Sequence, residues 1–72
     1  MTERRVLKVK EVIRILKNDG WQVTRISGSH RQLKHKLKPG LVTVAGQLSD
    51  DLAIGTLKSI WKQAQITPGR TR

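Results

Sequence analysis

The sequence predicts an α+β fold made of a helix, three antiparallel strands and a second helix. Two segments, one near each end of the chain, repeat apolar residues at the helical interval, and the middle alternates at the interval of a strand with glycine-bearing turns between the runs. With 72 residues the chain has room for one domain, and a domain of this size buries only about 60% of the surface its unfolded form exposes. The core is therefore thin.

Residues 1–8 are charged and lack a period, so they are expected to form a flexible or loosely docked basic arm. Val9, Val12, Ile13 and Leu16 then fall at i, i+3, i+4 and i+7, with Lys10, Arg14 and Lys17 on other faces, which predicts an amphipathic helix over about residues 10–19. Gly20 ends it, because a residue without a Cβ accepts the left-handed conformation that closes a helix. From there the chain alternates, with Trp21 and Val23 on one side and Gln22 and Thr24 on the other, giving a first strand over 21–26. Ser27-Gly28-Ser29 is a turn, a second strand returns over about 30–36, and Lys38-Pro39-Gly40 makes the next turn. Residues 41–45, rich in β-branched side chains, form the third strand, and 46–54 are a polar connector containing Asp50 and Asp51. Leu57, Ile60, Trp61 and Ala64 repeat the helical spacing, with Thr56 placed to cap the second helix. The domain is expected to span 9–66, with Pro68-Gly69 beyond its end and 67–72 a flexible basic tail.

That order packs both helices on one face of the sheet and leaves the other face to solvent or ligand, which is the topology of double-stranded RNA-binding domains. Fifteen Lys and Arg against five Asp and Glu give a net charge of +10, and residues 1–38 carry +8 of it. Charge this concentrated draws polyanions through counterion release, so nucleic acid is the leading partner class, with a merely solvated basic surface as the alternative. No apolar run approaches the roughly 18 residues that a membrane helix needs, which argues against a membrane partner. There is no cysteine for a disulfide or a thiolate metal site and no apolar leader, so a cytoplasmic address is expected.

Alternation along the second strand sorts its side chains. Leu33, the only apolar one, belongs with the helices together with Arg31 and His35, which leaves His30, Gln32 and Lys34 on the open face. The two histidines then stand about 16 Å apart on opposite faces, too far to act as a paired acid and base on one phosphate. His30 is the better catalytic candidate, since it follows the Gly28 turn with Arg25, Arg31 and Lys34 near it in a basic strand. Imidazole can take the proton of a ribose 2′-OH while Lys and Arg stabilise charge on the attacked phosphate, a combination that permits RNA cleavage without metal or other cofactor. A surface histidine that only contacts phosphate is the alternative reading of the same residues. Lys58 and Lys62, spaced i, i+4 on the exposed side of the second helix, could grip phosphates or form a solvated face. Asp50 and Asp51 have no third acid nearby and do not predict a metal site. Ser27 and Ser29 are read as turn formers, and Trp21 and Trp61 as core rather than base-stacking residues.

The residues then show a resemblance. Glu11-Val12-Ile13, Leu16-Lys17-Asn18-Asp19-Gly20-Trp21, Gly28-Ser29-His30-Arg31-Gln32, Lys34-His35, Val42-Thr43-Val44, Gly55-Thr56-Leu57-Lys58-Ser59-Ile60 and Lys62-Gln63-Ala64 stand in an order that resembles the HicA toxins of bacterial HicAB toxin-antitoxin pairs, over about residues 8–66. The resemblance implies a small mRNA interferase of double-stranded RNA-binding-like fold, held inactive by a HicB antitoxin that covers its active site. The family's catalytic histidine lies in the Gly-Ser-His motif, which carries over to His30. The candidate RNA contacts beside it are Arg25, Ser29, Arg31, Gln32, Lys34, Lys58 and Lys62, with no metal. The chain departs from the family in having Lys36 where Pro is common after the Lys-His pair, Leu33 where an aromatic is common, and Gln65 where Gly is common near the end of the second helix. Gln is a poorer left-handed cap than Gly. The alternatives are a non-catalytic RNA-binding module using the same basic face, and an interaction protein whose charge docks an acidic partner.

Overall fold

A computed structural model describes residues 7–66, and the expected arm over 1–6 and tail over 67–72 lie outside the described residues. The elements are β1 (Leu7–Lys8), α1 (Val9–Asn18), β2 (Trp21–Ser27), β3 (His30–His35), β4 (Val42–Ala45), β5 (Asp51–Leu52) and α2 (Ile54–Ala64). β2, β3 and β4 form an antiparallel sheet with β3 at its centre, and β1 pairs with β5 in a second, two-stranded sheet. The expected helix, three-stranded sheet and helix are all present, in the double-stranded RNA-binding-like arrangement.

One core joins the layers. Val9, Val12, Ile13 and Leu16 of α1 meet Trp21, Leu33, Val42 and Val44 of the sheet and Leu57, Ile60 and Ala64 of α2, all buried. Since every buried sheet residue comes from one face, both helices lie on that face and the opposite face is open.

The N-terminal side of this unit is tied down more firmly than its sequence suggests. The first N–H groups of α1 have no Ser, Thr, Asp or Asn cap. Those of Val9 and Lys10 instead donate to the carbonyls of Asp50 and Leu48 at 2.9 and 3.1 Å, and the Lys8 N–H donates to Glu11 Oε1 at 2.9 Å. Lys8 Nζ reaches Asp51 Oδ1 at 3.2 Å. Two expectations are thereby corrected: Leu7 and Lys8 are part of a strand rather than of a loose arm, and the 46–54 connector contains β5 and closes the N-terminus of α1. Two-residue strands are too short to carry a period, so alternation could not reveal them.

The ends of α2 also differ in detail. It starts at Ile54 with Ala53 as an extended N-cap, so Thr56 lies in the first turn and does not cap the helix. At its other end Gln65 takes the left-handed conformation (φ 56°, ψ 46°), while the Gln65 and Ile66 N–H groups donate to the carbonyls of Lys62 and Trp61 at 3.3 and 3.0 Å. This is a Schellman closure, and it runs through the residue whose side chain makes that conformation costly.

Candidate nucleic-acid interface and catalytic histidine

The register of the sheet defines the open face. Residues directly opposite one another share a face, so three rows cross it: Ser27, His30 and Ala45; then Arg25, Gln32 and Thr43; then Gln22 and Lys34. His30, Gln32 and Lys34 therefore project together, as alternation about Leu33 predicts.

Arg25 reaches this face through a bulge. Strict alternation from Trp21 and Val23 would turn Arg25 toward the helices. Instead the pairing passes from Val23↔Leu33 to Arg25↔Gln32, leaving Thr24 as an extra residue that restores Arg25 to the open side. The Thr24 hydroxyl donates to the Gln32 carbonyl at 3.3 Å across the irregularity. The same shift turns Ile26 opposite Arg31, on the helix side.

His30 is placed by a two-residue turn. Ser27 pairs with His30, so Gly28 and Ser29 alone connect the strands, and Gly28 has φ 59° at the first central position, where a II′ turn requires glycine. A Cβ there would meet nothing, so glycine is needed for its φ and not for space. The far side of the row is closed by the Gly46 N–H, which donates to the Ser29 carbonyl at 3.1 Å. Arg31 Nη1 donates to the Gly46 carbonyl at 3.0 Å and to that of Ser29 at 3.5 Å. Arg31 is thus on the helix side, bracing the loop ends on either side of His30, and Ser29 contributes its carbonyl to the same brace. Lys58 and Lys62 are exposed in the helical layer, behind the sheet as seen from His30. The structure therefore brings His30, Arg25, Gln32 and Lys34 together and separates them from the other four predicted contacts.

The imidazole of His30 is exposed and makes no hydrogen bond or ion pair among the described residues, which leaves both ring nitrogens available. The acids are elsewhere: Glu11 and Asp51 engage Lys8, Asp19 engages Lys38, and Asp50 accepts the Gln47 N–H at 2.8 Å. Every carboxylate among the described residues thus lies off the open face, and no three His, Asp or Glu side chains cluster as metal ligands. Trp21 is fully buried and Trp61 packs half-buried against the core, so neither aromatic ring is on the face. What remains is a shallow sheet surface with two cations, amides and hydroxyls around a free imidazole.

His35 occupies the opposite face. Nε2 donates to the Asp19 carbonyl at 2.6 Å and Nδ1 accepts the Leu37 and Lys38 N–H groups at 2.9 and 3.2 Å, so the hydrogen bonds fix the tautomer. The ring meets Trp21 edge to face, with centroids 5.3 Å apart. Lys38 Nζ bonds Asp19 Oδ2 at 2.5 Å and the Ala64 and Gln65 carbonyls at 3.1 and 3.0 Å, joining the C-terminal ends of both helices. Sequence reasoning missed this node, because its members are up to 46 residues apart and only the fold brings them together. It also missed Gln22, Thr43 and Ala45 on the open face, which alternation carried across the register would have found.

Among known proteins, residues 9–66 match the family model for the HicA toxin of bacterial toxin-antitoxin systems. A comparison with curated proteins finds no match. No helix among the described residues is long and apolar enough to cross a membrane.

Proposed function

The chain belongs to the HicA toxin family of bacterial toxin-antitoxin systems, and from that premise we propose that it is an mRNA endoribonuclease that works without metal and uses His30 as its catalytic base. The observation that carries this reading is a free imidazole on a basic face from which the carboxylates of the described residues are absent. His30 takes the proton of a ribose 2′-OH, the 2′-oxygen attacks the adjacent phosphorus, and the bond from phosphorus to the 5′-oxygen breaks. The products are a 2′,3′-cyclic phosphate and a 5′-hydroxyl, whose proton comes from water, and His30 returns its own proton to solvent. Such general-base help contributes typically about 10²–10⁴-fold.

Charge gathering on the attacked phosphate is met by Arg25, with the Gln32 amide beside it in the same row, while Lys34 holds phosphate farther along β3. Among the described residues the face has no carboxylate to hold a divalent ion, so these cations are the groups at hand for that task. Ser29 and Arg31 hold the turn that carries His30, and Lys58 and Lys62 attract flanking RNA from the helical layer. A toxin of this family has an antitoxin partner. We assign that role to a HicB-like protein whose acidic surface covers the open face in place of RNA, with encounter accelerated by complementary charge. Action on mRNA sets the site of action in the cytoplasm.

The test is incubation of wild type and His30→Ala with single-stranded RNA in excess chelator, followed by analysis of the new 3′ ends. Cyclic phosphate ends made by wild type alone are expected. Intact RNA bound equally by both proteins would instead identify a non-catalytic RNA-binding module.

A further inference from the structure

The three rows of the open face differ in height and in charge, and the differences run in a consistent direction. On the β4 side the rows end in Ala45 and Thr43, which are small, and the third row has no β4 member because pairing stops at Leu33↔Val42. On the β2 side stand Arg25 and Gln22, which are long. β3 therefore runs along a shelf, low on one flank and walled on the other by groups that donate hydrogen bonds. The next position on one face is two residues along, so the rows follow one another at about 6.6 Å, of the order of the separation between successive phosphates in a stretched single strand. His30 occupies the first row. Beyond it the sheet ends in Gly28, Ser29 and Gly46, whereas on the other side the face continues through Arg25 and Gln32 to Gln22 and Lys34.

We propose that an RNA strand binds extended along β3, and that Gln22 and Lys34 form a phosphate subsite remote from the cleaved linkage, on one side of it only. The proposal rests on the reading of His30 as the catalytic base. The shelf is three strands wide, about 10 Å, which suits one strand of backbone. No aromatic side chain other than His30 rises from the face to stack a base, so the strand is held by its phosphates and riboses, and charge rather than base identity sets affinity. A base-paired linkage also resists the in-line arrangement of 2′-oxygen, phosphorus and leaving oxygen that cleavage requires. The substrate class is thus unpaired, extended RNA of loosely specified sequence.

Two measurements test this and separate it from the catalytic reading. The first is binding of uncleavable 2′-O-methyl strands from two to about six nucleotides long, against wild type, Lys34→Gln and Arg25→Gln over a series of salt concentrations. With the longest strand, Lys34→Gln is expected to reduce the salt slope by about 0.7, the value for one lost phosphate contact on a single strand. Affinity for that strand should fall about fivefold, and the loss should shrink as the strand is shortened. Arg25→Gln should weaken every length alike. The second is kcat/KM for oligonucleotides with a single ribose, lengthened on the 5′ or on the 3′ side of it. Lengthening on one side should raise the rate and on the other should not, and Lys34→Gln should abolish the rise. A loss in Lys34→Gln that is the same at every length, equal gains from both sides, or equally tight binding of a duplex would overturn the subsite. If the binding pattern holds but no ribose linkage is cut, the subsite stands and His30 as base falls.

Discussion

The two ends of β3 put the same side chain to opposite uses. His35, at the C-terminal end, has a side chain only 9% exposed, with three hydrogen bonds and a packed tryptophan, and its ring has no freedom left. His30, at the N-terminal end, is exposed and bonded to nothing among the described residues, and the structure instead invests in the backbone that carries it. A histidine that completes a network is consumed by it. One held out by its backbone on a basic face keeps a ring nitrogen free for a substrate. Their faces, set by strand parity, decide which is which.

The comparison can be broken from the His35 end first. His35→Ala removes the edge contact with Trp21 and strands the Asp19 carbonyl and two N–H donors, so unfolding free energy should fall by about 2–4 kcal/mol, measured by urea denaturation. Gly20→Ala attacks the same node from the other side. Gly20 has φ 104°, and a Cβ there would stand 2.6 Å from His35 Nε2, so strain and collision together should cost about 2 kcal/mol by the same measurement. Lys38→Met removes the cation shared by the two helix ends. Because Lys38 and Asp19 are partly exposed, a loss of only about 1 kcal/mol is expected, and it should diminish in high salt. Gln65→Gly should act in the opposite sense, stabilising the fold by about 0.5–1 kcal/mol by freeing the α2 closure from a left-handed side chain, with a higher thermal midpoint as the readout. None of these four should change the chemistry at His30 beyond what lost folded protein accounts for.

Periodicity made most of the fold legible. Leu33 as the single apolar residue of β3 fixed which way His30 and His35 point, and Val9, Val12, Ile13 and Leu16 fixed the buried stripe of α1. Gln65 was legible as a costly cap only through the resemblance, since Gly is common at that position in the family. The bulge at Thr24 was not, since nothing in Val23-Thr24-Arg25 distinguishes an extra residue from a paired one, and Arg25 reaches the open face only through it. Arg31 was grouped with the RNA contacts from its charge, while its actual partners are two carbonyls, of Ser29 and Gly46, at the end of the sheet that carries His30. Ala53 precedes α2 where Thr56 looked the better cap, since the helix already starts at Ile54 and its first intrahelical bond runs from the Leu57 N–H to the Ala53 carbonyl.

The central claim is that His30 serves chemistry and not architecture, and it is tested most directly by measuring RNA cleavage and urea unfolding on one preparation each of wild type and His30→Ala. The account predicts an unfolding free energy within about 0.5 kcal/mol of wild type and cleavage reduced by about a hundredfold or more. Cleavage at the wild-type rate, or a loss of cleavage that only follows a loss of folded protein, would contradict it.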